Sequence, residues 1–141
     1  MGRRIIKFPH ATSEEREALE KFLNAGLIHG IWTFELRLPS RKAKLSVEMP
    51  LPFKQMWEKL TAKRIDAVCY ADDAIYLIEV KRYLLPSGIG QLLVYAYMFN
   101  EIYKPQKPVK LWYVAYYNDP DVECVCRQLG IKVYYVENPF E

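Results

Sequence analysis

The stretch from Arg64 to Arg82 constrains the fold of this chain more than any other. Arg64–Tyr70 and Ala74–Arg82 both have the β-branched and aromatic composition of strands, separated by an Ala-Asp-Asp turn. Two such runs around a short polar turn read as a hairpin. Pro86-Ser87-Gly88 then opens a helix from about Ile89 to Tyr103, whose broad apolar face needs a sheet to cover it. Val109–Tyr117 is again strongly β in composition. A strand–helix–strand passage directly after a hairpin demands parallel pairing as well as antiparallel pairing. The expected fold class is therefore α/β, a central mixed β-sheet flanked by helices.

The flanking segments extend that frame. Residues 13–25 read as a helix with Ser13 as its cap; Arg16 then falls at the third helical position, which leaves the capping box incomplete. Ala18, Leu19, Phe22 and Leu23 form an apolar stripe at helical spacing, and Gly26 is a natural stop. Ile31–Leu38 follows as a strand closed by Pro39-Ser40, and Leu45–Met49 would pair back across it. Phe53–Leu60 is either a short helix or an irregular connection. After the Lys104–Pro108 loop and the Val109–Tyr117 strand come a helix over Pro120–Leu129, ended by Gly130, and a last strand, Ile131–Val136. At 141 residues, with no linker, repeat or low-complexity stretch, residues 1–141 are expected to form a single domain.

Composition excludes some classes and leaves others open. A hydrophobic share of 51% with 26% charged residues is that of a globular protein rather than a disordered one. No apolar run approaches the ~18 residues a membrane span needs, and the apolar part of residues 1–7 is too short for a signal peptide. A cytoplasmic, non-membrane protein is the expectation. Cys124 and Cys126 project from different sides of a helix and cannot form a structural zinc corner. All three cysteines are read as small apolar fillers in a reducing compartment. The net charge of +3 is compatible with nucleic-acid binding but does not establish it.

Chemistry concentrates on the hairpin. Side chains alternate along a strand, so Ile75, Leu77, Glu79 and Lys81 share a face that begins apolar and ends charged. A solvated face would be polar along its length; a carboxylate beside an ammonium at the end of an apolar face points to a site at the rim of a core. Asp66, sharing a face with Val68 and Arg64 on the preceding strand, comes level with residues 79–81 when the hairpin pairs. Two adjacent carboxylates raise one another's pKa unless a cation stands between them. A hard divalent ion with oxygen ligands answers that need. Each residue taken alone has a blander reading, Glu79–Lys81 as a surface pair and Asp66 as a strand end; their conjunction favours the site.

Asp66, a hairpin and then Ile78-Glu79-Val80-Lys81 resemble the D…(D/E)-x-K signature of the PD-(D/E)XK nuclease superfamily, with Arg64-Ile65 where a proline often precedes the aspartate. The resemblance runs from the first helix to the Val109–Tyr117 strand. Gly90-Gln91-Leu92-Leu93-Val94-Tyr95, on the helix after the lysine strand, looks like the Q-x-x-x-Y motif of the RecB-like branch. The resemblance implies a restriction-endonuclease-like α-β-β-β-α-β core with a metal site at the sheet's edge. It implies a metal-dependent deoxyribonuclease binding Mg²⁺ or Mn²⁺ through Asp66, Glu79, the Val80 carbonyl and a glutamate of the first helix, with Lys81 beside the attacking water. Glu15 is the chosen helix glutamate, because Ala18, Leu19 and Phe22 put it on the inward stripe; Glu14 and Glu17 are alternatives. Gln91 and Tyr95, one turn apart on one helix face, would touch the metal surroundings or the DNA backbone.

Lys63, Arg64 and Arg82 flank the site and are the expected phosphate contacts; Arg3, Arg4, Lys7, Arg41, Lys42 and Lys44 are further basic residues near the chain's start and an early turn. Trp32, Trp57 and Trp112 are read as core, and His10 and His29 are given no role. Two other readings stand beside the nuclease: a nucleic-acid-binding or assembly protein that keeps the fold without catalysis, and a Holliday-junction resolvase-like endonuclease working as a homodimer.

Overall fold

The computed structural model describes residues 8–39, 50–52, 54–55 and 63–136. Helix α1 spans Ser13–Asn24, and strands β1 (Ile31–Leu38), β2 (Lys63–Tyr70) and β3 (Ile75–Tyr83) follow. Then come α2 (Pro86–Tyr103), β4 (Val109–Tyr117), α3 (Pro120–Gln128) and β5 (Ile131–Tyr135). The expected Leu45–Met49 strand, Trp57, most of Phe53–Leu60 and the basic residues Arg3, Arg4, Lys7, Arg41, Lys42 and Lys44 lie outside the described residues. The five strands form one sheet in the order β1-β2-β3-β4-β5. β1–β2 and β2–β3 pair antiparallel, β3–β4 and β4–β5 parallel. This is the mixed, helix-flanked sheet of a restriction-endonuclease-like core.

Topology explains the layering. The two parallel steps run in the same direction across the sheet, so right-handed crossovers place α2 and α3 on one face. The other face is left to α1, whose buried Ala18, Leu19, Phe22 and Leu23 pack on Ala67, Ile78, Val80 and Val114. Full burial of one such side chain is worth about 1.5–3 kcal/mol. Phe22 makes ring contacts with Trp32, Trp112 and Tyr134, which puts both tryptophans against this core as expected. On the opposite face, Tyr95 and Phe99 of α2 cover Ile65, Val68, Ile75 and Leu77, while Val122 and Cys126 of α3 meet Tyr113, Ala115 and Ile131. Cys69 and Cys126 are buried fillers, but Cys124 is exposed, correcting the reading of all three as filler.

The start of α1 also differs from expectation. Thr12, not Ser13, is the N-cap: its hydroxyl accepts from the Glu15 N–H and Glu15 Oε1 accepts from the Thr12 N–H, each at 3.1 Å. Moving the cap back one residue puts Glu15 at the third helical position and completes the capping box. Gly26 stops the helix at φ +67°, as its position suggested.

Helix α2 begins at Pro86, three residues before the expected start, and its N-cap, Leu85, offers no side-chain acceptor. Tyr113 supplies the missing anchor from β4. Its fully buried hydroxyl donates to the Tyr83 carbonyl (2.9 Å) and accepts from the Leu85 N–H (3.0 Å). The ring lies so close to Gly88 that a Cβ there would stand 2.3 Å from it, whereas a Cβ on Gly90 would meet nothing within 4 Å. Gly88→Ala is expected to cost about 1–3 kcal/mol through overpacking. Gly90→Ala is expected to stabilise by up to about 1 kcal/mol through helix propensity. Denaturant unfolding of the two variants checks the contrast, and equal effects would mean that Tyr113 does not seat the helix.

Candidate functional site

Asp66 sits where two hydrogen-bond ladders break at once. Between β1 and β2 the register runs through Phe34↔Ala67 and Leu36↔Ile65 and omits the intervening Glu35 and Asp66. Glu35 has φ +52°, a left-handed conformation uncommon for a non-glycine residue. Side-chain alternation reverses there: Trp32, Phe34 and Ala67 pack towards α1, whereas Leu36, Leu38 and Ile65 pack towards α2. The same reversal puts Arg64 and Val68 on opposite faces, correcting the expectation that both share one face with Asp66. Between β2 and β3 the pairing ends at Ala67↔Ile78, one residue short of Asp66 and Glu79.

Beyond that last pair, the backbone loses its partner strand and a side chain replaces it. The Val80 N–H donates to Asp66 Oδ2 at 2.8 Å, so a carboxylate does what a β2 carbonyl would have done. Glu79 is 4% exposed, the only charged side chain among the described residues to be buried. Its Oε1 is 3.9 Å from Lys81 Nζ. Its Oε2 is buried with no hydrogen-bond partner among the described residues. The site thus lies between two inner strands at the end of the sheet, where β3 and β4 finish, rather than at a sheet edge as expected. That gap exists because β2 and β3 part there.

Electrostatics follow from the burial. Desolvation pushes the Asp66 carboxyl above its ordinary range, opposed by the Val80 N–H that favours its charged form. Glu79 is pushed up further, by burial first and then by the neighbouring Asp66 charge; Lys81 acts in the opposite direction. Glu15 adds to the upward push on both groups, so α1 brings it within electrostatic reach. Tyr95, which packs on Ile65, Val68 and Leu77, is raised by burial and by the charges of Glu79 and Asp66, so α2 brings it within electrostatic reach of both. Gln91 lies one turn earlier on the same helix face, and its Oε1 is likewise buried without a partner.

Asp66, Glu79 and Lys81 are therefore brought together, with Tyr95 within electrostatic reach of both carboxylates and Gln91 one turn from it on α2. Glu15 is nearby but its carboxylate is committed to the Thr12 N–H. Among the described residues no three His, Cys, Asp or Glu side chains converge closely enough to hold a metal ion. A cation would have to rest on two carboxylates and backbone oxygen. Those two groups fit that role: they are hard oxygen donors, mutually unfavourable when both are charged, and one carries an oxygen with no other partner.

The flanking basic residues divide. Lys63 and Arg64 begin β2, half-buried, and Arg64 stands directly opposite Arg37 of β1. Arg82 is held at 3.1 Å by Glu14 from the first turn of α1. Arg37, Tyr83, Tyr113 and Tyr117 escaped the sequence reading. A strand-end tyrosine looks the same whether or not another strand brings a partner to it. Only the parallel register Tyr83↔Tyr117 distinguishes the two cases.

Three solved structures share the fold. A repair endonuclease from Pyrococcus abyssi matches with a TM-score of 0.54 at 14% identity, over 95% of this chain and 50% of that one. EndoMS in its apo form gives 0.53 at 19% identity, over 92% and 48%. An EndoMS–dsDNA complex gives 0.52 at 15%, over 96% and 50%. The chain thus spans about half the length of each. No family model matches the sequence, and no curated protein matches it either. Among the described residues no helix is long and apolar enough to cross a membrane.

Because both carboxyl groups are raised in the folded state, they hold their protons more tightly there than in the unfolded chain. Their contribution to stability is complete below the ordinary carboxylate range and is lost as pH rises through the raised values. In chelator, Glu79→Gln should therefore gain stability relative to the parent as pH rises from 5 to 8. Denaturant midpoints across that range measure it, and parallel pH profiles for the two proteins would contradict the burial argument.

Proposed function

We propose that this chain is a divalent-metal-dependent nuclease of PD-(D/E)XK type that hydrolyses phosphodiester bonds in DNA, with the Q-x-x-x-Y helix of the RecB-like branch. The observation that carries the reading is the pair of carboxylates, half-buried Asp66 and buried Glu79, at the break in the β2–β3 ladder with Lys81 beside them. Such a pair is costly to bury unless it is put to use. The fold shared with the three endonuclease structures supports the reading, and the DNA in one of those structures supports DNA as the partner.

In this reading Asp66, Glu79 and the Val80 carbonyl hold Mg²⁺ or Mn²⁺. The N–H and C=O of a strand residue point to the same side, so the Val80 carbonyl faces the gap that its N–H faces. A bound ion would supply Lewis-acid charge at the phosphate undergoing hydrolysis. Lys81 contributes a second positive charge, positioned by Glu79, for the negative charge that develops on the phosphate or for orienting the attacking water. Gln91 and Tyr95 wall the site from α2, and Glu15 adds negative charge from α1. The directly opposed Arg37 and Arg64 repel one another in a bare sheet, and a DNA phosphate between them would relieve that; Lys63 and Arg82 extend the basic rim.

Purified protein should cut DNA with Mg²⁺ or Mn²⁺ and stop in chelator. Lys81→Ala should lower the rate by about 100-fold or more while leaving the melting temperature nearly unchanged, the loss expected for one electrostatic donor. Asp66→Ala and Glu79→Ala should abolish cutting, the former also costing about 1–3 kcal/mol for the orphaned Val80 N–H. Single-stranded, double-stranded, flapped and branched DNA make the substrate panel. Mutants that cut as well as the parent would overturn the assignment. Metal-independent DNA binding without cleavage on any form would favour the non-catalytic binding reading, consistent with two acidic side chains, among the described residues, meeting at the site.

A further inference from the structure

Two residues past Lys81 on β3, Tyr83 lies against Tyr117 of β4 with ring centroids 5.0 Å apart and planes 25° from parallel. The Arg82 guanidinium sits over both rings, 5.4 Å from one centroid and 5.7 Å from the other. Glu14 holds that guanidinium at 3.1 Å, tying the first turn of α1 to the aromatic pair. Packing does not explain Tyr83, which is 46% exposed beside Leu85 at 41%. A cavity of about 380 Å³ opens here, and its lining joins Glu15 and Lys81 of the candidate site to Arg82, Tyr83 and Leu85. Its volume is in the range of small-ligand pockets.

We propose that the Tyr83–Tyr117 stack is a platform for an unpaired nucleobase next to the phosphate being cut, so that the substrate is DNA with a single-stranded or frayed nucleotide at the cleavage point. The proposal rests on the nuclease reading of the adjoining site. Side chains two apart on a strand are about 6.6 Å apart, and stacked nucleotides rise about 3.4 Å, so the platform is within about two nucleotides of Lys81. A base in intact duplex presents only its edges to the grooves, whereas a flat aromatic face is used by a base free of its stack. Arg82, paired with Glu14 on the basic rim, also serves this platform as a flat cation over the rings. Tyr83 contributes only its backbone carbonyl to the seating of α2, so its side chain can be changed without disturbing that helix.

The test measures binding of the full chain in chelator, where no cleavage occurs, by anisotropy of fluorescein-labelled single-stranded, flapped and blunt duplex DNA. Tyr83→Leu is expected to weaken binding of the first two by about 5- to 100-fold, the effect of losing one base–aromatic stack, with little change for the duplex. Tyr83→Trp should retain it. With 2-aminopurine at the unpaired position, the parent should quench its fluorescence and Tyr83→Leu should not. Equal weakening on all three DNAs, or quenching that survives in Tyr83→Leu, would overturn the platform. Because no step depends on metal or hydrolysis, a protein that fails to cut yet shows this pattern would overturn the nuclease reading and leave the platform standing.

Discussion

The hydrogen bond from the Val80 N–H to the Asp66 carboxylate is the contact on which the arrangement of the site depends. Without it, separating β2 from β3 after Ala67↔Ile78 would leave a buried backbone donor without a partner. With it, the strands can diverge while the sheet stays continuous through β4. Asp66 and Glu79 stand where the two strands part. A polar cleft can then sit inside a sheet rather than on its surface.

The same economy recurs around the gap. Tyr113, level with Glu79 on β4, does with one buried hydroxyl what a capping side chain at Leu85 would otherwise do for α2. Its ring occupies the space a side chain at position 88 would need, and Gly88 makes the approach possible. Helix α2 is thereby fixed over the site at its first turn, and Gln91 and Tyr95 follow from that fixed point. On the opposite face, the Thr12–Glu15 capping box sets where α1 begins, and Glu14 reaches Arg82 from there. Both helices that approach the site are anchored at their N-terminal ends beside it.

Much of this was legible in the residues. The period-2 run of Ile75, Leu77, Glu79 and Lys81 implied a face that changes from apolar to charged, and the short Ala71-Asp72-Asp73 turn put Asp66 level with it. The order of elements and the mixed sheet followed from a hairpin succeeded by helix, strand, helix and strand. The N-cap was misjudged by one residue because Thr12 and Ser13 have the same capping chemistry, and only the backbone angles of Thr12 separate them. Cys124 was misjudged because position on a short helix does not say which side meets the sheet. Arg64 was misplaced because strict alternation was assumed across Asp66, where the left-handed turn of Glu35 reverses it.

The sequence by itself determined the strand pair, the helix that follows it and the level at which two carboxylates and a lysine must meet, because these depend on local periodicity and a short turn. The tertiary structure alone decided that the hairpin ladder stops one residue before those carboxylates, that β4 lies parallel to β3 with Tyr117 against Tyr83, and that Tyr113 seats α2. These depend on which strands become neighbours and in what register. That choice minimises the energy of the whole core and leaves no trace in the pattern of any one segment.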